Sequence, residues 1–450
     1  MEENRKNQEE TDKEQNCETV RQLFAFITAS PSPFHAVKNM RQRLEAEGYQ
    51  QLLESRSWEL QEGGRYYVTR NGSSILAFRI PKADFRGFQI MASHSDSPSF
   101  KIKEHPEMEV EGQYVKLNVE RYGGMLCAPW FDRPLSVAGR LVVREGSRLV
   151  TKLVSVDRDL VMIPNLAIHM NREANDGYKY NAQKDLLPLY GMGCEKGTFM
   201  KQIAEAAGVC AEDIVGNDLF LYNRMGGSIW GADEEFMSIG KLDDLQCAFA
   251  SLQAFLTAED GDSIPVHCVF DNEEVGSGTK QGAASTFLLD TLLRINEGLG
   301  RTNGQYHQAL ASSFMLSADN AHAVHPNQAD KACPTNRPYP NGGVVIKYSA
   351  NQKYTTDGMA AAVFTRICEA AKVPYQTFLN RSDLPGGSTL GNISNTQVAL
   401  NTVDVGLAQL AMHSPYETGG VKDTDYLIRA AKQFYQTSVV EESEGVYKLW

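Results

Sequence analysis

The sequence has no apolar run that approaches the ~20 residues needed to cross a bilayer. Its first 16 residues are charged and lack the apolar core of a signal peptide, so we predict a disordered tail over residues 1–16. None of the eight cysteines forms a Cys-x-x-Cys pair, and their wide spacing argues against a disulfide framework. Together these absences predict a reduced, cytoplasmic protein without a membrane partner.

Motifs of several enzyme classes are also missing. The sequence has no Walker-type Gly-Lys-Ser/Thr motif, no GxGxxG after a first strand and no GxSxG elbow. Its formal net charge of −12 argues against nucleic acid or an anionic membrane as the main partner. The chemistry of this chain must therefore come from other motifs.

The hydrophobic pattern divides the chain into two regions. Residues 17–100 and 236–450 alternate apolar runs, such as residues 266–270 and 398–401, with amphipathic helical patterns, such as residues 358–371. This alternation predicts an α/β domain in which helices cover a sheet. Residues 101–235 instead alternate apolar and polar positions with period two, which predicts a β-rich domain inserted into the first.

Acidic residues and histidines recur at predicted strand ends and loops of the α/β region. Buried carboxylates are costly unless they are paired, hydrogen-bonded or bound to a metal. Two histidines and three carboxylates suit a pair of divalent metals, with a further carboxylate left over as general base. The alternative is a set of solvated polar residues at strand ends. The motifs are His94-Ser95-Asp96, Asp243-Asp244, Glu273-Glu274, Asp319 and His413.

These and other motifs resemble those of the aspartyl aminopeptidase family of dimetal exopeptidases. The resemblance covers nearly the whole chain. It rests on TASPSPFHAV (28–37), SHSDSP (93–98), WFDR (130–133), IPNLAIH (163–169), DNEEVGS (271–277), SADNAHAVHPN (317–327), NQKY (351–354) and MHS (412–414).

The resemblance implies a site with two divalent metal ions per subunit, zinc first and manganese or cobalt as alternatives. One ion would be held by His94, Asp243 and Asp319. The other would be held by Asp243, Glu274 and His413, so that Asp243 bridges the pair.

Two further acidic residues of these motifs receive separate roles from the resemblance. Glu273 would be the general base. Asp96 would orient His94, as carboxylates behind metal-binding histidines commonly do.

The resemblance also implies a zinc exopeptidase-like fold, a mixed β-sheet covered by helices, with residues 101–235 as a dimerisation domain. Dimers would assemble into a tetrahedral dodecamer, and His169 would reach into the active site of a neighbouring subunit. An alternative interpretation makes His94, His169 and His413 a three-histidine zinc site, but it leaves Glu274 and Asp319 unexplained.

The implied function is hydrolysis of the N-terminal residue of peptides, with a preference for Asp or Glu. Lys347 is the candidate partner for a substrate carboxylate, and the alternative is a solvated lysine at a strand end. Two other functions stay open at this point. One is an aminopeptidase that prefers neutral residues such as Leu, and the other is a catalytically inert, shell-forming assembly protein.

Overall fold

The computed structural model describes residues 2–193 and 195–449, with side chains from Glu10 onward. The helices of these residues are α1 (Glu2–Thr28), α2 (Pro33–Ala46), α3 (Thr198–Ala207), α4 (Leu242–Thr257), α5 (Phe287–Gly298), α6 (Asn303–Ala311), α7 (Gly358–Ala371), α8 (Leu390–Ser394) and α9 (Asp423–Gln436). The strands are β1 (Gln50–Leu52), β2 (Arg65–Arg70), β3 (Ser74–Arg79), β4 (Phe88–His94), β5 (Ser99–Val110), β6 (Tyr114–Tyr122), β7 (Leu135–Glu145), β8 (Arg148–Ser155), β9 (Leu189–Met192), β10 (Ile214–Asn223), β11 (Ser228–Trp230), β12 (Phe236–Ile239), β13 (Ile264–Phe270), β14 (Phe314–Ala318), β15 (Ala321–His322), β16 (Val344–Lys347), β17 (Tyr375–Phe378), β18 (Asn401–Gly406), β19 (Ala408–Leu410), β20 (Glu417–Gly420), β21 (Val439–Ser443) and β22 (Val446–Leu449).

A mixed nine-stranded sheet, in the order β1-β2-β3-β13-β4-β14-β18-β16-β17, forms the centre of the larger part of the chain. Strands β13, β4 and β14 lie side by side and run parallel. All of their residues are buried, because helices cover both faces of the sheet. The predicted α/β class, a mixed sheet covered by helices, is confirmed.

Side chains of the central strands alternate between two apolar cores. Met91 of β4 lies in the core that contains residues of α1, α2, α4, α7 and α9. Its neighbour Ile90 lies in the other core, with residues of α5, α6 and α8. Burial of each Leu, Ile or Met side chain contributes about 1.5–3 kcal/mol to the free energy of folding. These two cores therefore hold the ends of the strands in fixed positions.

A second, antiparallel sheet is built from residues 99–223, in the order β8-β7-β10-β5-β6-β9. It has its own core, in which Phe199 and Ile203 of α3 join strand residues such as Leu141. Strand β11 lies within the predicted insertion, residues 101–235, but pairs with β12 in a third sheet, β11-β12-β20-β19-β15. The last strand of the second sheet therefore ends at Asn223, before the predicted domain boundary at residue 235.

Helix α1 occupies the segment for which the sequence predicts a disordered tail. The helix begins at Glu2, and Met1 lies outside the described residues. Residues 2–16 contain no Gly or Pro and are rich in Glu, Lys and Gln, which are good helix formers. An ion pair at 2.9 Å joins Lys13 Nζ to Glu234 Oε2. The structure thus differs from the predicted disorder over residues 2–16, because low apolar content prevents burial but does not prevent extension of an anchored helix.

Other expectations concern membranes and cysteines. No helix within residues 2–193 and 195–449 combines the length and the apolar character needed to cross a membrane. The seven cysteines in the same residues are free thiols, and Cys194 lies outside the described residues.

His267 of β13 should make the fold sensitive to acid. It is fully buried with Nδ1 2.7 Å from Ser251 Oγ, and burial lowers its pKa to about 3. An unfolded histidine has a pKa near 6.5, so between pH 6.5 and 3 only the unfolded chain takes up this proton, and stability falls as the pH falls. At pH 5 the loss is about 2 kcal/mol. We expect the His267→Gln variant to lack this loss of folding stability at pH 5.

Guanidinium unfolding at pH 7 and pH 5 measures this effect. The matched control is His307→Gln on the exposed side of α6, which should leave the loss unchanged. If His267→Gln loses as much stability as the unchanged protein between the two pH values, another group accounts for the acid sensitivity.

Candidate metal centre

Three of the predicted site segments come from adjacent parallel strands. His94 is the last residue of β4, Glu273 and Glu274 follow β13, and Asp319 follows β14. The carboxyl ends of neighbouring parallel strands meet at one edge of a sheet, which is the usual place for a ligand site in such sheets. These four side chains therefore start from the same edge.

The third sheet brings the other two predicted ligands. Asp243 lies in the first turn of α4, directly after β12, and His413 lies in the turn between β19 and β20. Strands β12, β20 and β19 are neighbours in that sheet. Asp243 and His413 thus approach from a separate sheet and meet the strand-end residues.

The described residues form three groups of possible ligand atoms, and two of these groups contain Asp243. The first is His94, Asp243 and Asp319, and the second is Asp243, Glu274 and His413, with the atoms of each group within 4.8 Å of one another. Asp243 Oδ1 lies 3.5 Å from His94 Nε2, and Asp243 Oδ2 lies 3.5 Å from His413 Nε2. Each carboxylate oxygen of Asp243 thus faces a different histidine, as a bridging ligand requires.

Both Glu273 and Glu274 lie close to a histidine of the cluster, so distance alone does not decide which of them is a metal ligand. Glu274 Oε2 lies 3.3 Å from His413 Nε2, whereas Glu273 Oε2 lies 4.0 Å from His94 Nε2. A third group, His94, Glu273 and Glu274, also meets the 4.8 Å limit. Glu274 belongs to two of the three groups and Glu273 to one, which is consistent with a ligand and a nearby base.

The buried carboxylates of the cluster fit a positively charged occupant. Asp243 Oδ1 and Glu274 Oε1 are buried and have no hydrogen-bond partner among the described residues. Burial raises the pKa of Glu273 to about 8 and raises the pKa values of Glu274 and Asp319. Divalent cations would balance this charge, and imidazole with carboxylate is a donor set that zinc, manganese and cobalt accept.

The negative charges of the cluster raise the pKa values of both histidines. Burial opposes protonation of His413, but Asp243 outweighs it and raises the pKa of His413 to about 9. The pKa of His94 is also raised, because Asp243 and Asp96 outweigh the effect of burial. A cation at the site would replace the protons that these imidazoles otherwise hold.

Asp96 connects His94 to the Glu273-Glu274 turn. Its Oδ1 lies 3.3 Å from His94 Nδ1. The same carboxylate accepts the backbone N–H groups of Glu273 at 3.1 Å and Glu274 at 3.2 Å. Tyr122 of β6 donates its hydroxyl to Asp96 Oδ2 at 2.7 Å, so the inserted sheet also contacts this residue. Asp96 therefore contacts both His94 and the turn that carries Glu273 and Glu274.

Two carboxylates that support the ligands receive no role from the sequence. Glu417 of β20 accepts the backbone N–H of Asp243 at 3.1 Å and that of His413 at 2.7 Å. Asp244 accepts the backbone N–H of His94 at 3.1 Å. Both are fully buried, and burial raises the pKa of Glu417 to about 8. The acidic Asp244 beside a predicted ligand was the available signal, and for Glu417 it was an acid placed shortly after His413.

Lys347 lies behind Asp319. Its side chain is 2% exposed, and Nζ donates to the backbone carbonyls of Asp319 at 2.7 Å and Asn320 at 3.3 Å. Nζ also lies 3.8 Å from Asp319 Oδ1. The alternative of a solvated lysine at a strand end is therefore wrong.

His169 lies apart from the other predicted residues. It is exposed, in the inserted region, and no candidate ligand group of the described residues contains it. One chain alone therefore does not form the three-histidine site of the alternative interpretation.

Relatives of known sequence match nearly the whole chain. The family described as Aminopeptidase I zinc metalloprotease (M18) matches residues 26–435. A probable M18 family aminopeptidase 2 of Clostridium acetobutylicum is 46% identical over 426 residues, which cover 93% of this chain and 98% of that protein. The protein of that name from Pseudomonas aeruginosa is 41% identical over 425 residues, which cover 92% of this chain and 97% of its own.

Solved structures share the fold. A chain in a cryo-EM structure of the Ape4 and Nbr1 complex has a TM-score of 0.91 and 35% identity, and the match covers 94% of this chain and 86% of that one. The S. cerevisiae mApe1 dodecamer has a TM-score of 0.81 and 26% identity, and the match covers 92% of this chain and 95% of that one. Because family, relatives and fold agree over nearly the full length, this chain belongs to the M18 family of zinc metalloaminopeptidases.

Proposed function

We propose that this aminopeptidase removes N-terminal Asp or Glu from peptides, using two metal ions and Glu273 as general base. The observation that carries the proposal is the pair of ligand groups that share Asp243. Family membership favours this enzyme over a catalytically inert assembly protein. The chain's own residues would bind the ions, activate water and complete a neighbouring site.

His94, Asp243 and Asp319 would hold one ion, and Asp243, Glu274 and His413 the other. Two buried oxygens that have no hydrogen-bond partner among the described residues, Asp243 Oδ1 and Glu274 Oε1, support this division. Ions bound there supply Lewis acidity toward a peptide carbonyl and lower the pKa of water. Zinc is the metal proposed for both ions, with manganese or cobalt as alternatives.

Glu273 would take the proton of the attacking water and pass it to the nitrogen of the leaving amine. Its Oε2 lies 4.0 Å from His94 Nε2, beside the ligands, and its side chain is 14% exposed, so water can reach it. Burial raises its pKa to about 8, and positive charge at the site would bring that pKa down toward neutrality. A general base is most effective when its pKa lies near the working pH.

The assembled protein would be a homo-oligomer, with dimers built through the inserted sheet and grouped into a tetrahedral dodecamer. The dodecameric mApe1 structure supports this, since its fold matches 92% of this chain. Leu149, Met170 and Met192 support it too, because these apolar side chains of the inserted region are 69–70% exposed. In the assembly, His169 would donate a hydrogen bond to the developing oxyanion of a neighbouring subunit's substrate. The proposed location is the cytoplasm.

A panel of Asp, Glu and Leu aminoacyl reporters, run with zinc, manganese and cobalt, tests substrate preference. We expect the acidic reporters to be hydrolysed faster. If Lys347 pairs with the substrate carboxylate, Lys347→Met should lower kcat/KM for Asp and Glu about 10- to 100-fold and leave Leu nearly unchanged. Faster hydrolysis of Leu by the unchanged protein would favour the neutral-residue alternative.

Lys347 also contacts Asp319, so the variant needs a second measurement. Equal loss on all three reporters, together with loss of one metal, would assign Lys347 to holding Asp319. Elemental analysis of each preparation separates these outcomes, and Lys372→Met, at the end of α7, is a matched control.

A further inference from the structure

The inserted region carries an exposed loop, residues 164–185, here named the His169 loop. It contains no helix or strand and lies between the bridge residue Ile163 and strand β9. Around His169, the side chains of Leu166, Ile168 and Met170 are 54%, 48% and 70% exposed. Apolar side chains this exposed on both sides of a histidine favour burial against another molecule.

Asp132 fastens the start of the His169 loop. Its carboxylate accepts the backbone N–H of Asn165 at 2.9 Å and the side-chain Nδ2 of Asn165 at 2.7 Å. The backbone N–H of Asp132 donates to the carbonyl of Ile163 at 3.0 Å. Asn165 is thus held by both its backbone and its side chain, four residues before His169.

The segment that carries Asp132 is held in place by packing against the core of the inserted sheet. Trp130 and Phe131 are buried in the core of the inserted sheet, and Phe131 also lies 5.2 Å, between ring centroids, from Tyr180 of the His169 loop. Asp132 itself has a left-handed backbone, with φ of 56°. Asp and Asn adopt this conformation more readily than other residues with a Cβ. The WFDR motif therefore contacts the loop at two points.

We infer that Asp132 is a positioning residue for the active site of a second copy of this chain. The Asp132–Asn165 contact holds the His169 loop so that His169 enters that site, while Leu166, Ile168 and Met170 pack against the second copy. The inference rests on the proposed function, in which His169 acts across the subunit boundary. Within its own chain, His169 has no hydrogen bond or ion pair with the described residues.

Two substitutions at Asp132 separate positioning from folding. Asp132→Gly removes the contact but keeps the left-handed backbone without strain. Asp132→Asn keeps an acceptor for the Asn165 N–H and can pair with its amide. We expect Asp132→Gly to lower kcat/KM about 10²-fold, the effect of a misplaced active-site group, and Asp132→Asn to restore most of the loss. Metal content and assembly mass should not change.

The matched control is Asp213→Ala, a surface aspartate of the same region whose carboxylate lies 3.4 Å from Arg144 Nη2. It should leave kcat/KM unchanged. If Asp132→Gly is as active as the unchanged protein, or if Asp132→Asn is as impaired as Asp132→Gly, the positioning role is wrong. Loss of the assembly itself in Asp132→Gly would overturn it as well, and would assign Asp132 to interface stability.

Mixed assemblies show in which subunit Asp132 acts. Two variants with different tags are co-expressed and purified through both tags, so that every assembly contains both. In assemblies of Glu273→Gln with Asp132→Gly, the second subunit keeps its base and receives a well-placed His169 from the first. Activity should rise about tenfold or more above that of either variant alone. Asp132→Gly with His169→Ala should not recover, because both loops are defective.

A parallel pair, Glu273→Gln with His169→Ala, tests the proposed function separately. If this pair recovers activity and Glu273→Gln with Asp132→Gly does not, Asp132 acts within its own subunit and the inference alone fails. If this pair does not recover, His169 does not act across the boundary, and that part of the proposed function fails together with the inference.

Discussion

Replacement of Glu273 by Gln should abolish turnover while the fold and both metal sites persist. Gln has nearly the same shape but cannot accept a proton from water. Loss of a general base costs about 10²–10⁴-fold in kcat, and more where no other group substitutes. Asp96 accepts the backbone N–H of residue 273, not its side chain, so the turn that carries Glu274 should keep its position. Steady-state kinetics and elemental analysis of the same preparation measure both effects.

Glu274→Gln is the matched control for this prediction. The two glutamates are adjacent, but the side chain of Glu274 is 3% exposed and that of Glu273 is 14% exposed. Glu274 Oε2 lies 3.3 Å from His413 Nε2, and Glu274 belongs to the second ligand group. The control should lose one metal as well as activity. If Glu273→Gln is fully active, or if Glu273→Gln loses metal while Glu274→Gln does not, the assigned roles of the two residues are wrong.

Replacement of Asp243 by Asn should remove both metals. Among the described residues, two groups of candidate ligands contain Asp243, and these two groups have no other residue in common. The two carboxylate oxygens of Asp243 face His94 and His413. An amide supplies one neutral oxygen and no bridging charge. The loss of metal affinity should exceed the roughly 10- to 100-fold that removal of an outer hydrogen-bond partner costs, because a ligand itself is lost.

The fold of Asp243→Asn should survive. The substitution removes one negative charge from a cluster in which Asp244, Glu274 and Asp319 already have raised pKa values through burial. Asp243 also pairs with His94 and His413 in the metal-free protein, and these histidines hold its pKa well below its usual range. Thermal unfolding of the metal-free protein should therefore show a moderate decrease in stability, in which lost pairing outweighs relief of repulsion. Asp319→Asn is the comparison, since it touches one group alone and should reduce the metal content by one ion per chain. Retention of two ions in Asp243→Asn would show that Asp243 does not bridge.

The hydrophobic pattern predicts much of the frame but not all element limits. The amphipathic pattern over residues 358–371 corresponds to α7, and the apolar run at residues 266–270 falls within β13. The predicted strand at residues 398–401 is displaced, since β18 begins at Asn401. Val398 and Leu400 are apolar because they pack in the second core from a loop, so an apolar run alone does not locate the strand.

Site residues were predictable where a side chain faces the cluster itself. The ligand candidates stand in distinctive motifs, and residues as distant as His94 and His413 converge as expected. Glu417 was not predicted, because its role depends on backbone N–H groups, one of them 174 residues away at Asp243. Contacts of this kind leave no pattern in a single sequence. The structure also has helix α1 where the sequence predicts disorder before residue 17, since this helix is anchored by buried residues such as Val20.

Anomalous diffraction at the zinc absorption edge, from crystals of the zinc-loaded protein, tests the two-metal site most directly. We predict two peaks about 3.5–4 Å apart, the usual spacing of a metal pair. One should contact His94, Asp243 and Asp319, and the other should contact Asp243, Glu274 and His413. A single peak bound by His94, His413 and a neighbouring copy's His169 would contradict this account and support the three-histidine site.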